Sequence, residues 1–436
     1  MALFSDKFVL YDGADELHCA YLQSLGAELF GQSRVIQLGF SLPLGACQSS
    51  STNETLKIDS IANLVMGVMT ALTQNKPILL QRDPKVPLPE QLPHGACVGL
   101  QTSGTTGQPK WVFHSLKNLL EKLPEHGVGS LKCSDEFSHM GSDVSTAPNL
   151  GENLHKGSTK NPDTWLLSYH PYSFAGLQVV LYTMKNGMGL CFTAKPEEQI
   201  SFAVKQRVNA LSITPSLFKV YSLAPEFTQL PLSQITFGGE ICTQDTLDLA
   251  ARLFPNSQIC HVYATTETGT LFRVNDGLAG FPVDYLEKTH KGWQVSIEDG
   301  RLHCIGAVKD SPTTLGQSIN TGDLVELTTS RIQFLGREDN VVNVGGDKVN
   351  LETLEQEILR LTNIQDARLF AKTNPITGHI IGVELVALDD EEAAKAEFSA
   401  WSKQQKKTAQ PRTVQWVAEV SLSHTQKKTR QEPCAI

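Results

Sequence analysis

The sequence predicts an α/β protein: a large N-terminal domain of mostly parallel sheets covered by helices, then a small α+β domain. Three observations predict it. Short β-rich apolar runs alternate with helical patterns over most of the 436 residues, the order that builds parallel sheets with helices on their faces. A soft, hydroxyl-rich segment, LQTSGTTGQPKWVFHS from Leu100 to Ser115, directly follows one of those runs, and ligands in such folds gather in loops at the carboxyl ends of strands. After Leu335 the rhythm changes to a unit of about a hundred residues, an ordinary domain size.

Taken in order, RVIQLGF (Arg34 to Phe40), PILLQR (Pro77 to Arg82), ACVGLQT, TWLLSYH, GLCFT, ALSIT, QITFGGE and QICHVYA read as buried strands. SIANLVMGVMTALTQ, FAVKQRV, SLFKVYSL and TQDTLDLAARLF have helical spacing, and Thr243 has the chemistry of an N-cap for the last. Ile61 to Leu72 is the most apolar stretch, too short to span a bilayer, and reads as a buried helix. The polar, unpatterned stretch from Cys133 to Asp163 reads as a surface loop. Beyond Leu335, VVNVGGDKVN leads into a helix in LETLEQEILRL and strands in IQDARLFAK and HIIGVELVAL. A charged helix in EEAAKAEFSAWSKQQ and a strand in TVQWVAEV complete the unit. The expected division is 1–336 and 341–436, with the boundary at 337–340 near GREDN.

Composition excludes some partners. The formal net charge of −9 argues against a nucleic acid or an anionic membrane as the main partner. Met1 to Gly13 lacks the basic start and long apolar core of a signal peptide. Nine scattered cysteines without a CxxC pair imply reduced thiols in a cytoplasm and no zinc site.

In the hydroxyl-rich segment, Gly104 and Gly107 permit positive φ and close backbone approach, and Thr102, Ser103, Thr105 and Thr106 add hydroxyl donors. Lys110 brings a positive charge just beyond. Exposed N–H groups with hydroxyls make a concave anion site suited to a polyphosphate; the same composition also suits a plain linker. The spacing fits neither GxxxxGK[ST] nor GxGxxG.

The order TSGTTGQPK resembles the signature loop of the acyl-adenylate-forming (AMP-binding) ligases, which include acyl-CoA synthetases, luciferases and the adenylation domains of peptide synthetases. Further resemblances follow in the family's order: SITPSLF, FGGE, YATTE (Tyr263 to Glu267), INTGDL (Ile319 to Leu324), FLGREDNVVNVGGDKV (Phe334 to Val349) and HTQKKTR (His424 to Arg430). The likeness covers about Val98 to Arg430. The short segment before the loop resembles compact ligases such as o-succinylbenzoate–CoA ligase.

The resemblance implies the site. Thr102 to Lys110 would hold the β- and γ-phosphates of ATP, Thr266 would touch the α-phosphate, and Glu267 would help hold Mg²⁺. Gly239, Glu240 and Tyr263 would line the nucleotide, with Tyr263 beside adenine. Asp323, placed in a turn after an apolar strand, and Arg337 would grip the ribose hydroxyls. Asp339 would be the hinge. Lys427, three before Arg430, would bridge substrate carboxylate and α-phosphate where charge builds; Gln426 replaces the family glycine, which leaves Lys428 as an alternative. Ala264 replaces a further family glycine, and Leu116 stands where many relatives carry a second histidine after His114.

The acyl pocket is expected from His170, Tyr172, Ser173, Phe174, Gly176, Phe237 and Gly238, the aromatics as apolar walls. Amino-acid-activating relatives place an aspartate where Ser173 stands. An α-ammonium here would lack a counter-charge in a buried site, a cost of several kcal/mol. The implied substrate is a non-amino aryl or medium-sized carboxylic acid. Gly345 and Gly346 would let a pantetheine arm pass, so the acceptor is CoA or the phosphopantetheine of a free-standing acyl carrier protein. The alternative is a degenerate adenylate-binding or scaffold protein without ligase activity.

Overall fold

The structure is a computed structural model that describes residues 4–12, 15–30, 35–40, 55–58, 61–83, 85–102, 110–123, 163–306, 318–421 and 430. Ser103 to Gly107, Lys427, Lys428 and the polar stretch up to residue 162 lie outside the described residues.

Two parallel-rich sheets dominate the N-terminal part. The larger has eight strands in the order Gly269–Val274, Gln258–Thr265, Gln234–Phe237, Ala210–Ile213, Thr164–Leu167, Gly189–Phe192, Val9–Asp12 and Asp15–His18. Its inner six strands run parallel and the outermost pair on each side is antiparallel. The smaller sheet orders Thr55–Ile58, Ile36–Phe40, Ile78–Gln81 and Cys97–Thr102 in parallel, with Lys110–Ser115 antiparallel at the edge. Eight of these strands coincide with the predicted apolar runs; Val9–Asp12, Asp15–His18, Thr55–Ile58, Lys110–Ser115 and Gly269–Val274 are additional.

Helix Ile61–Thr73 is apolar on every side, and all but two of its thirteen residues are buried, as expected of a core helix. It crosses helix Cys19–Phe30 at Gly26, where an added Cβ would lie 2.9 Å from the Met66 carbonyl oxygen. Thr243 caps helix Gln244–Leu253, its hydroxyl accepting from the Thr246 N–H. The helices Cys19–Phe30 and Phe174–Asn186 were not anticipated. Six described cysteines are buried and free; burial pushes the Cys304 thiol up to about 12.

A third sheet of six antiparallel strands was not foreseen either. Its order is Phe281–Pro282, Arg331–Arg337, Ser318–Leu327, Arg301–Gly306, Trp293–Glu298 and Thr289–His290. A 3₁₀ turn at Glu338–Asn340 separates it from the last unit. There, strands Val341–Val344, Asp347–Asn350, Ile364–Asn374, Gly378–Ala387 and Thr413–Trp416 form one sheet. Helices Leu351–Ile358 and Glu391–Gln404 pack on it around a separate core containing Leu369, Val383, Phe398 and Trp401.

Candidate active site

The eight-stranded sheet gathers the predicted residues at one edge. Strands Thr164–Leu167, Ala210–Ile213, Gln234–Phe237 and Gln258–Thr265 are consecutive parallel neighbours. The segments that leave their carboxyl ends therefore lie side by side: His170 to Gly176, Thr214 to Ser216, Gly238 to Glu240, and Thr266 to Thr268. This is the edge where parallel sheets place ligands.

Local chemistry shapes each turn. Gly239 adopts φ +82°, a conformation that favours glycine, and the Glu240 carboxylate accepts from the Ser216 N–H at 3.0 Å. Gly238 has room for little more than hydrogen, since a Cβ would lie 2.9 Å from Val262 Cγ2; its carbonyl accepts from the Tyr169 hydroxyl at 3.3 Å. Thr265 Oγ1 accepts from the Thr268 N–H at 3.1 Å and closes the turn that exposes Glu267.

The second sheet joins this edge through one imidazole. His114, on strand Lys110–Ser115, sets Nε2 2.6 Å from the Thr266 carbonyl oxygen. A carbonyl can only accept, so Nε2 carries the hydrogen. The imidazole lies 5.3 Å from the Phe174 ring centre, and a Cβ on Gly269 would be 3.5 Å from Phe174 Cζ. His114, Thr266, Gly269 and Phe174 are thus one cluster. Lys110 is exposed at the start of its strand, beside the segment proposed to bind phosphates, and Thr102 ends the neighbouring strand.

The third sheet contributes an acid–base set. Asp323 stands directly opposite Arg337 in the antiparallel ladder, and Arg337 Nη1 donates to Asp323 Oδ1 at 3.0 Å. The Tyr263 hydroxyl donates to the other oxygen at 2.6 Å. Asp323 therefore sits within strand Ser318–Leu327 and not in the expected turn. Gly322, at φ +75°, bends the strand locally, and its missing side chain gives Arg337 Nη2 room to approach.

Burial first, then the Asp323 carboxylate, holds the Tyr263 phenol well above its usual range, so it acts as a protonated donor. Its ring stacks between Phe272 and Phe334, with centres 5.3 and 5.4 Å away. Burial would lower Arg337; Asp323 and then Asp339 outweigh it and keep the guanidinium charged. Asp339 Oδ2 lies 3.7 Å from Arg337 Nη2. Sequence reasoning missed Phe272 and Phe334, whose only signal was Phe334's place just before GRED.

On the acyl side, Ser173 caps helix Phe174–Asn186. Its hydroxyl accepts from the Gly176 N–H at 3.0 Å and donates to the His170 carbonyl at 2.7 Å. A Cβ on Gly176 would lie 2.3 Å from that carbonyl oxygen. His170 Nδ1 accepts from the Tyr172 N–H at 3.0 Å, and Tyr172 and Phe174 are buried. Phe237 is fully buried as well and packs edge-on against Phe218 at 5.1 Å. It belongs to the core because its side chain faces helix Pro215–Tyr221.

In the small C-terminal unit a charged cluster surrounds Arg430. Arg430 pairs closely with Glu355, lies 3.8 Å from Glu352, and is within electrostatic reach of Glu240. Gly345 and Gly346 are exposed at φ +61° and +96°, the first tied by its N–H to the Thr377 carbonyl at 2.8 Å. Among the described residues no group of three metal-ligating side chains exists. Glu267 offers a single exposed carboxylate, which suits Mg²⁺ arriving with a nucleotide better than a resident ion.

A family model described as AMP-binding enzyme matches residues 50–295, more than half of the chain. Curated relatives include the D-alanine–D-alanyl carrier protein ligase of Lactococcus lactis, 24% identical over 337 residues, 69% of this chain and 61% of that protein. The indigoidine synthase of Dickeya dadantii is 23% identical over 357 residues, 71% of this chain but 22% of that protein. The chain thus spans less than two thirds of these relatives. Among solved structures, an anthranilate CoA ligase, AuaEII, in complex with anthranoyl-AMP superposes with TM-score 0.65 at 12% identity, covering 98% of this chain and 93% of that one. The o-succinylbenzoate CoA synthetase of Bacillus subtilis with its acyl-adenylate gives 0.60 at 14% identity, covering 97% and 94%.

Proposed function

Since the chain belongs to the AMP-binding enzyme family, we propose that it uses MgATP to convert a carboxylic acid without an α-amino group to an acyl-adenylate, and then passes the acyl group to a thiol. The observation that carries this reading is the Tyr263–Asp323–Arg337 set beside the strand-end turns that hold Thr266 and Glu240. Asp323 keeps lone pairs free on both oxygens, and Arg337 keeps donors beyond the one it uses. Together they suit the two neighbouring hydroxyls of a ribose.

In the proposed reaction the substrate carboxylate oxygen attacks the α-phosphorus, the bond to the β-phosphate bridge oxygen breaks, and pyrophosphate leaves. Thr102 to Lys110 hold the departing phosphates and Thr266 the α-phosphate; Glu267 would help hold Mg²⁺, which would supply charge neutralisation when bound with the nucleotide. Lys427 balances the charge that builds, with Lys428 as the alternative. No covalent link to the protein is needed; positioning and charge stabilisation suffice. The thiol of CoA, or of a carrier's phosphopantetheine, then attacks the acyl carbon, loses its proton, and AMP departs. The roles of Asp339 as pivot and of Gly345 and Gly346 as a passage belong to this second step.

Ser173 supports a substrate without an ammonium group. Its hydroxyl is engaged with Gly176 and His170, and it offers no negative charge to a cation. The named sequence relatives include a D-alanine ligase, so the test must include that acid. Acid-dependent exchange of labelled pyrophosphate into ATP, measured with benzoate, anthranilate, octanoate, malonate and D-alanine, is expected with at least one non-amino acid and to be weakest with D-alanine. No exchange with any acid would overturn the ligase reading. Strong D-alanine exchange would overturn the Ser173 argument alone.

A further inference from the structure

We propose that Glu352 is a positioning residue: it clamps the hinge to the C-terminal lobe and sets Arg430 in the arrangement that supports adenylation. This inference rests on the ligase reading for its kinetic consequence, but its structural half stands independently.

Three successive residues, Leu335, Gly336 and Arg337, precede the pivot and are all held by the start of one helix. Helix Leu351–Ile358 starts at Asn350, whose Oδ1 accepts from the N–H groups of Glu352 and Thr353 at 2.9 and 3.3 Å. The same turn grips the incoming strand. Asn350 Nδ2 and Thr353 Oγ1 each donate to the Leu335 carbonyl at 3.2 Å. Gly336 follows at φ +128°, and a Cβ there would lie 2.4 Å from Glu352 Oε2 and 3.0 Å from Asn350 Nδ2. Arg337 comes next, and its N–H donates to Glu352 Oε2 at 2.6 Å. Only glycine allows the carboxylate this close to the chain.

The other carboxylate oxygen faces a different part of the lobe. Arg430 Nη2 lies 3.8 Å from Glu352 Oε1. Arg430 is itself fixed by Glu355, by the Leu369 carbonyl at 3.3 Å, and through its own carbonyl, which accepts from the Ala371 N–H at 2.9 Å. Arg337 meanwhile reaches back with its side chain to Asp323. One carboxylate, 18% exposed, therefore ties the backbone of a ribose-side residue to the arginine that follows Lys427 by three positions. A rotation of the lobe about 337–340 carries Glu352 and Arg430 together and must therefore alter the Arg337 N–H contact. The clamp consequently favours the arrangement seen here over any other, and a step that requires a different arrangement gains nothing from it.

The experiment uses the full chain with Glu352→Ala, Glu352→Gln and Gly336→Ala. Amide hydrogen exchange of the peptide covering 335–340 should accelerate about tenfold or more in Glu352→Ala, the loss expected for a hydrogen bond to a charged group. The strands 364–374 and 378–387 should stay protected. Glu352→Gln keeps an acceptor for Arg337 and should recover most of the hinge protection. Gly336→Ala leaves the carboxylate intact but displaces it, and should match Glu352→Ala; it decides the question if Glu352→Ala does not fold.

With the acid from the benzoate-to-D-alanine panel that the wild-type protein activates fastest, kcat for pyrophosphate exchange should fall about tenfold in Glu352→Ala, while KM for MgATP and the rate of thiol capture of preformed acyl-adenylate stay within about twofold. A parallel fall in both half-reactions, or unchanged hinge exchange in Glu352→Ala and Gly336→Ala, would overturn the proposal. If the wild-type protein activates no acid, the ligase reading fails while hydrogen exchange still decides the clamp.

Discussion

Replacing Tyr263 by Phe removes a single oxygen and leaves the ring between Phe272 and Phe334 unchanged in shape. The lost contact is the 2.6 Å hydrogen bond to Asp323 Oδ2. Hydrogen bonds to charged groups contribute about 1.5–3 kcal/mol. Two features place this one near the lower bound: Asp323 keeps Arg337 on its other oxygen at 3.0 Å, and its side chain is 13% exposed, so water can reach the vacated position. We expect Tyr263→Phe to lower stability by about 1.5 kcal/mol and to weaken MgATP binding severalfold, because Asp323 loses the group that aims it. A double-mutant cycle with Asp323→Asn isolates the pair. Calorimetric unfolding and titration calorimetry with MgATP read both effects. A coupling energy below about 0.5 kcal/mol, within the scatter of independent sites, would refute the reasoning and reduce Tyr263 to a packed aromatic.

Lys427→Ala should abolish pyrophosphate exchange while sparing thiol capture of preformed acyl-adenylate; the same split in Lys428→Ala, with Lys427→Ala active, would move the role by one residue. His261, whose Nε2 meets the Leu278 carbonyl at 3.1 Å, has its pKa lowered chiefly by burial. Its contribution to stability is full above the unfolded value of about 6.5, and declines as pH falls from there toward the lower folded value. Thermal unfolding of His261→Gln between pH 8 and 5 should show a flatter profile than the wild-type protein. In the C-terminal lobe, Glu384 accepts from Arg368 twice at 2.8 Å and from Ser421 at 2.8 and 3.0 Å. Glu384→Ala should cost about 3–5 kcal/mol by leaving Arg368 buried without its counter-charge, whereas Arg368→Met with Glu384→Leu should be near neutral; unfolding of the lobe followed by calorimetry distinguishes them.

Most parallel strands were legible because they are short apolar runs, several closed by glycine, threonine or serine, as in ALSIT and QITFGGE; Val9–Asp12 and Thr55–Ile58, with polar residues among their four, were not. The antiparallel sheet from Phe281 to Arg337 was not, since its strands mix exposed and buried positions, as in WQVSIE and RIQFLGR, and give no continuous apolar run. Asp323 shows the limit well. TGD reads locally as a turn, and only pairing with Arg337 across the ladder makes it a strand residue. Helix Phe174–Asn186 was hidden by reading HPYSFAGL for its chemistry, although Ser173 three places before Gly176 carries a capping signal. The site residues were named by motif order, but their contacts were not. Tyr263 reaches Asp323 across 60 positions and His114 reaches Thr266 across 152, and no local pattern encodes such separations.

The contact between His114 and Thr266 has a mechanical consequence. Strand Lys110–Ser115 belongs to one sheet and Thr266 opens the turn after a strand of the other, so the imidazole acts as a crossbar between them at this edge. Truncating that ring would at once leave the Thr266 carbonyl without the N–H it faces and take a neighbour from Phe174.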